Sequence, residues 1–279
     1  MSFKAALIQM CSGVDMARNI SDASAMIREA AAQGAQYVLT PEMTNIFEAD
    51  RGRLKSLVRR EEEDASVKGF SQLAQELGIW LHVGSLALRV SEDRLVNRSL
   101  LFAPDGAQVA RYDKIHLFDV DMPSGERIRE SDTFAPGGEA VVAKLPWGPL
   151  GLSICYDMRF PNLYNVLANA GAMFMAVPAA FTVPTGRAHW HVLLRSRAIE
   201  TGSFVFAAAQ GGAHECGRHT FGHSLVVTPW GEIVAELITE PGVLVFDVDA
   251  EFVKRDRGRI PALKNARAFN LKLTGGMVI

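Results

Sequence analysis

Short apolar runs and segments of helical period alternate along this chain from end to end, and that alternation limits its possible folds more than any other feature. Residues 3–10 read as a buried strand, and a helix-period segment from about Asp15 to Ala32 stops at Gly34. A short strand at 37–40 ends on Pro41 and Glu42. Past the charged stretch 59–64 come a helix over 67–77 closed by Gly78, strands near 79–89 and 98–103, and a turn at Pro104, Asp105 and Gly106 that returns the chain along 108–112. Residues 116–138 are rich in Asp, Glu, Pro and Gly with little periodicity, which predicts a long loop of the kind that is often functional in compact domains. The alternation then resumes: strands at 141–145 and 150–154, a helix at 162–170, a strand at 173–177, a helix at 187–201, strands at 204–209, 224–228, 232–237 and 243–248, and a last helix at 250–257.

This pattern specifies an α/β or α+β domain. No linker, charge run or composition shift divides it, so residues 1–279 read as one domain with a C-terminal tail from about residue 265. Residues 30–42 weakly echo residues 167–179, each running helix, Gly-Ala, strand, Pro. A duplication into two similar halves would produce the echo, and so would two unrelated helix–strand turns.

Composition narrows the function classes. Hydrophobic residues make up 48% and charged residues 22%, values of an ordinary globular protein rather than a disordered or fibrous one. Lys plus Arg number 29 against 31 for Asp plus Glu, and a net charge of -2 supplies no electrostatic reason to bind nucleic acid. Three cysteines, Cys11, Cys155 and Cys216, are too few for a disulfide scaffold and fit a reducing compartment. The first residues reach polar Gln9 and Ser12 too soon for the apolar core of a signal peptide. No apolar run approaches the ~20 residues of a membrane span. A cytoplasmic protein without membrane or nucleic-acid partners is expected. No phosphate-loop or dinucleotide fingerprint appears, so no cofactor is expected.

Three residues stand where chemistry is usually placed. Cys155 lies where an apolar strand stops and a helix is about to begin; a sharp turn there exposes the side chain and lets following backbone N–H groups converge, as a nucleophile and an oxyanion hole both require. Buried cysteines are also common inert packing. Glu42 is a carboxylate at a strand end, or a plain turn acid. Lys114 sits at the end of a hairpin strand at the mouth of the long loop, where a solvated surface lysine is the ordinary alternative. Residues 214–223 hold His214, Cys216, His219 and His223, a grouping suggestive of zinc, but the spacing fits no usual Cys/His pairing. No metal is expected there.

Taken in order, Leu39-Thr40-Pro41-Glu42, Tyr112-Asp113-Lys114-Ile115-His116-Leu117-Phe118 and Ile154-Cys155-Tyr156-Asp157-Met158-Arg159-Phe160-Pro161 resemble the Glu–Lys–Cys motifs of the nitrilase, or carbon–nitrogen hydrolase, superfamily. The resemblance covers about residues 3–269 and is nearest the amidase branch that contains deaminated-glutathione amidase and ω-amidase. It implies a four-layer α-β-β-α sandwich, pairing of chains as a homodimer or higher homo-oligomer, and a cysteine-dependent amidase that takes a small carboxylate-bearing linear amide and water to acid and ammonia. In that scheme Glu42 is general base to Cys155, and Lys114 with the backbone N–H of Tyr156 stabilises the oxyanion. Glu130 matches a second glutamate beside the site, with a surface role as its alternative. Arg159 either holds a substrate carboxylate or pairs with Asp157 to brace the turn. His189 and Trp190 are expected to pack near the site. Nitrile hydrolysis is disfavoured because Cys155-Tyr156-Asp157 departs from the Cys-Trp-Glu pattern of nitrilases, and the intact trio argues against a non-catalytic interaction protein.

Overall fold

A computed structural model, which describes residues 1–122, 125 and 127–274, shows why β1 (Ser2–Gln9) is an unbroken apolar run. Its Ala5 and Leu7 enter one core while Ala6 and Ile8 enter another, so both strand faces are covered. After it come α1 (Met16–Ala32), β2 (Tyr37–Leu39), α2 (Arg51–Leu57), α3 (Ala65–Leu77), β3 (Trp80–Arg89), β4 (Leu95–Phe102) and β5 (Gln108–Asp113). The hairpin β6 (Asp119–Asp121) and β7 (Arg127–Arg129), then β8 (Val142–Leu145) and β9 (Gly148–Leu152), lead to a 3-10 turn at Cys155–Arg159. The chain continues with α4 (Pro161–Asn169), β10 (Phe174–Ala176), α5 (Val183–Thr201), β11 (Phe204–Ala207), β12 (Gly211–Ala213), β13 (His219–Phe221), β14 (Leu225–Val227), β15 (Ile233–Glu236), β16 (Gly242–Asp249), α6 (Glu251–Arg259) and α7 (Ala262–Asn265).

Two six-stranded sheets result, in the orders β16-β1-β2-β3-β4-β5 and β15-β14-β11-β10-β9-β8. At the middle of each run three parallel strands, β1-β2-β3 in one and β9-β10-β11 in the other. Their crossovers are helical. Ile27 of α1 and Phe70 of α3 pack on the outer face of the first sheet. Tyr164 of α4 and Trp190 of α5 join the core that includes the second sheet, and the fold is the expected α-β-β-α sandwich. The echoing segments occupy equivalent places, each the end of a crossover helix and the middle parallel strand that follows it.

Local chemistry sets the element ends. Asp15 caps α1 by accepting from the N–H groups of Ala17 and Arg18, and Asp64 caps α3 in the same way. Gly78 ends α3 at φ 65°, a left-handed conformation that favours glycine. Several elements depart from expectation. The loop expected over 116–138 contains the β6–β7 hairpin and a 3-10 turn at Glu130–Asp132, while residues 123, 124 and 126 lie outside the described residues. Helix α5 starts at Val183, ahead of residue 187, because Pro184 suits a first helical turn. The expected tail begins where α7 ends, is exposed over residues 266–274, and has its residues 275–279 outside the described residues. No helix is long and apolar enough, among the described residues, to cross a membrane.

The carboxyl ends of the parallel strands meet at one end of the sandwich, where the two sheets are stitched together. The Gly211 N–H donates to the Met10 carbonyl at 2.8 Å. Gln210, fully buried just past β11, donates through Nε2 to Ser12 Oγ at 2.8 Å and to the Glu42 carbonyl at 3.0 Å. Gly84 of β3 lies in this seam: a Cβ there would fall 1.9 Å from the Thr40 carbonyl oxygen and 2.5 Å from Pro178 Cβ. Only glycine fits between the two strand ends.

Farther along the core, His82 of β3 is wholly buried between Tyr37 Oη and Ser99 Oγ, each at 2.7 Å. Burial pushes its pKa from 6.5 down to about 3, so folding requires the neutral ring. Because the folded value lies below the unfolded one, the stability tied to the neutral ring is complete above pH 6.5 and is lost as pH falls toward 3. Denaturant titrations are expected to show His82 costing about 2 kcal/mol at about pH 5 relative to neutrality, with His82→Gln flattening that slope. An unchanged slope in the variant would refute the assignment.

Candidate active site

Glu42 follows β2 by one turn that the chain fixes from several sides. Met43 takes φ 58°, its N–H donates to Ser85 Oγ at 2.9 Å, and the Thr44 N–H donates to the Ser85 carbonyl at 2.8 Å. Asn45 makes paired bonds with the backbone of Ala87, and its carbonyl accepts from buried Asn19 of α1. The carboxylate is thereby aimed inward. Its Oε1 accepts from Lys114 Nζ and from Asn97 Nδ2, both at 2.8 Å, and its Oε2 accepts from the Ala180 N–H at 2.8 Å.

Lys114 follows β5 directly and keeps its ladder, donating its N–H to the Asn97 carbonyl of β4 at 3.0 Å. Its ammonium is buried and bridges Glu42 to Glu130, whose Oε2 lies 2.9 Å away. Burial alone would push this amine's pKa down, but Glu130 and Glu42 outweigh it and hold the pKa well above the ordinary lysine range. Glu130 also accepts from the Phe118 N–H at 2.6 Å, which ties the β6–β7 hairpin to the site. The surface alternative for Glu130 is excluded.

Cys155 opens the 3-10 turn after β9 with φ 49°, a left-handed conformation uncommon for a residue with a side chain. Two contacts hold it there: its N–H donates to the Pro178 carbonyl at 2.8 Å, and Asp157 Oδ2 accepts from the Ile154 N–H at 2.8 Å. Asp157 is fully buried and takes further bonds from Tyr112 Oη at 2.7 Å and from the backbone and ring of His116 at 3.0 and 2.7 Å. Tyr112 and Lys114 are two residues apart, on one face of the same strand direction. One strand end therefore sets both the cysteine turn and the ammonium. The Tyr156 N–H donates to no backbone carbonyl among the described residues.

The thiol is held protonated. Burial raises the Cys155 pKa well above the ordinary thiol range, Glu42 raises it further, and Lys114 opposes with a smaller effect. The structure thus brings together Glu42, Lys114, Glu130, Cys155 and Tyr156 on one cleft of about 1060 Å³, including its open mouth. Phe118, Phe134 and Phe181 line its apolar side, and Arg51, Arg127, Arg129 and Arg218 bring positive charge.

Arg159 is not among the lining residues. It does not reach Asp157, whose oxygens are taken by Tyr112, His116 and Ile154; its guanidinium lies 3.2 Å from His189 Nδ1 and over the rings of Tyr156 and Phe181, two residues that line the cleft. Of the two alternatives for Arg159, the brace to Asp157 is therefore absent among the described residues. His189 is exposed outside the cleft, and Trp190 is a core residue against Phe181. Sequence reasoning missed Asn97, whose Nδ2 also lies 3.3 Å from Glu130 Oε1 and whose Oδ1 has no partner among the described residues. The signal was present as a lone amide inside the apolar strand Leu95–Phe102.

Comparison with known proteins adds an independent line. The profile of the family described as carbon-nitrogen hydrolase matches residues 4–257. The deaminated glutathione amidase of Yersinia enterocolitica is 39% identical, over 94% of this chain and 92% of its own length. The human omega-amidase NIT2 is 37% identical over 96% of both. Among solved structures, Saccharomyces cerevisiae Nit3, a member of branch 10 of the nitrilase superfamily, superposes with a TM-score of 0.84 at 31% identity, over 93% of this chain and 94% of that one. The C. elegans NitFhit protein gives a TM-score of 0.89 at 34% identity over 95% of this chain, which spans 65% of that longer chain.

The electrostatics of the thiol are open to direct measurement. Alkylation of Cys155 by iodoacetamide is expected to keep accelerating above about pH 9, past the range of a free thiol. Glu42→Gln removes the neighbouring negative charge and should move the midpoint of that profile to lower pH, whatever its limiting rate. A midpoint that stays fixed or rises would contradict the placement of Glu42 beside the sulfur.

Proposed function

Because the chain belongs to the carbon–nitrogen hydrolase family and is a nitrilase-superfamily amidase, we propose that its cleft hydrolyses a small linear amide bearing a remote carboxylate, with Glu42, Lys114 and Cys155 as the reacting groups. The observation that carries this reading is the convergence of a buried thiol, carboxylate and ammonium from three strand ends on one cleft. As Sγ attacks the amide carbon, its proton passes to Glu42, so the raised thiol pKa is matched by an acceptor already in place. Lys114 Nζ and the unengaged Tyr156 N–H stabilise the oxyanion, a role worth ~3–4 kcal/mol per donor. Collapse of the tetrahedral adduct releases ammonia with the proton from Glu42 and leaves a thioester. Water, deprotonated by Glu42, then attacks the thioester carbon, and the acid departs as the thiol recovers its proton. Glu130 touches Lys114 and holds the ammonium in position.

The substrate carboxylate is assigned to Arg218 rather than to Arg159. Of the cleft arginines, Arg51 pairs with Asp132 at 2.7 Å, and Arg127 and Arg129 pair with Asp121 at 3.1 and 2.7 Å. Arg218 has no acidic partner among the described residues and stands on the cleft wall with Thr182 and Thr185. A planar guanidinium suits two-point binding of a carboxylate. The two named relatives make deaminated glutathione the first substrate to test and α-ketoglutaramate the second.

Ammonia release from one of these amides is expected with wild type and should vanish in Cys155→Ala. Arg218→Met should raise KM for that amide by about tenfold with little change in kcat, and leave a neutral short amide unaffected. Release that survives loss of the cysteine, or failure of wild type on both amides, would sink the reading; equal losses on charged and neutral amides would remove only the Arg218 assignment.

We also infer a homodimer paired across the face of α4 and α5. Val166 of α4 and Val192 and Ile199 of α5 are 56%, 68% and 54% exposed, an unusual cost for large apolar side chains on two adjacent helices. Sedimentation velocity should give twice the 30.4 kDa chain mass for wild type and a shift toward the single chain for Val192→Glu. A wild-type monomer would refute the pairing.

A further inference from the structure

The histidines at 214–223 do not gather on one another, and the reason reveals a different grouping. His214 is buried and committed to the Ser12 carbonyl at 2.8 Å and Thr220 Oγ1 at 2.7 Å, with its ring against Phe47. His219 is exposed at the start of β13. His223 instead finds partners from two distant elements: His191 on α5 and Glu236 at the end of β15. Both rings approach one carboxylate oxygen, His191 Nε2 at 2.7 Å and His223 Nδ1 at 2.6 Å from Glu236 Oε1.

The three donor atoms lie within 4.8 Å of one another and the three side chains are only partly exposed. A tetrahedral zinc ion with bonds of ~2.0–2.1 Å would set its ligand atoms ~3.3 Å apart, so the two N···O separations need to open by roughly 0.6–0.7 Å and the N···N separation, now within 4.8 Å, to settle near the same value. Backbone and aromatic contacts hold the two rings in place. His223 takes φ 58° between two fixed backbone bonds, its N–H donating to the Ile238 carbonyl at 2.6 Å and its carbonyl accepting from Trp190 Nε1 at 2.8 Å. Its ring stacks on Phe221 at 4.2 Å and meets His191 edge to face at 5.3 Å. Phe221 also packs edge-on against His191, so one aromatic wall sets both imidazoles.

We propose that His191, His223 and Glu236 form a binding site for a zinc-class divalent metal ion, outside the cysteine cleft, with water as the fourth ligand. Two imidazoles and a carboxylate are a donor set such ions favour. Each ring now donates to Glu236 from the nitrogen that faces it; on metal binding that nitrogen gives up its proton and presents its lone pair to the ion instead. The ion would clamp the middle of α5 to β15 and to the connection between β13 and β14. The reaction at Cys155 does not require it.

The test uses the full-length protein after treatment with a chelator, titrated with zinc chloride in a calorimeter and separately with cobalt(II). Wild type is expected to take up one equivalent of zinc per chain and to gain visible cobalt absorption of a four-coordinate nitrogen–oxygen site. His191→Ala and Glu236→Gln should each weaken zinc binding by more than about tenfold, the loss expected when one of three protein ligands is removed. Zinc should also raise the melting temperature of wild type and not of either variant. Matching melting curves without metal and retained amide hydrolysis establish that the variants are folded. Absence of zinc uptake by wild type, or uptake that persists unchanged in both variants, overturns the proposal, the latter by assigning the ion to other surface histidines.

Discussion

A lysine ammonium buried between two carboxylates is the constraint around which this molecule is arranged. Removing three charges from water costs several kcal/mol each, and mutual attraction offsets that only when every remaining donor and lone pair is also met. The chain meets the requirement with donors from four places. Glu42 takes bonds from Lys114, Asn97 and the Ala180 N–H, and Glu130 takes bonds from Lys114, Asn97 and the Phe118 N–H. These donors belong to β4, the end of β5, the approach to β6 and the segment after β10. The charges are tolerable only if both sheets end at the same place, which is what Gln210 and the Cβ-free position at Gly84 allow.

The same economy links the cation to the nucleophile. Asp157 is a further, fully buried carboxyl group, satisfied by Tyr112, His116 and the Ile154 N–H rather than by an arginine. Tyr112 stands two residues before Lys114, so a shift of β5 along its neighbour would move the cysteine turn and the ammonium together. Glu42 and Lys114 come from the first half of the chain and Cys155 from the second. The pseudo-symmetric halves are thus chemically unequal, although their strands and crossover helices correspond.

Legibility in the sequence followed how local each determinant was. The trio at 42, 114 and 155 could be read because each residue follows a strand end and sits in a short distinctive stretch. Helix α2 could not, because Arg51–Leu57 is too short and polar to show an apolar stripe beyond the pair Leu54 and Leu57. The β6–β7 hairpin pairs Asp119–Asp121 with Arg127–Arg129, where charge rather than apolar alternation makes the match, so it read as loop. The alternative of an Arg159–Asp157 pair stayed open for a related reason: nothing local reveals that Asp157 is already filled by residues about 41–45 positions away. The grouping of His191, His223 and Glu236 spans three elements and has no sequence spacing to betray it.

The wall of the cleft is built differently from its floor. Phe118, Arg127, Thr182 and Arg218 stand on connections or short elements at the rim and Thr185 in the first turn of α5, and none of their side chains bonds to Glu42, Lys114 or Cys155 among the described residues. Natural variation can therefore exchange those side chains while the reacting groups keep their geometry. A lineage with this floor is free to drift among amides of different length and charge, and its relatives should diverge in diet long before they diverge in chemistry.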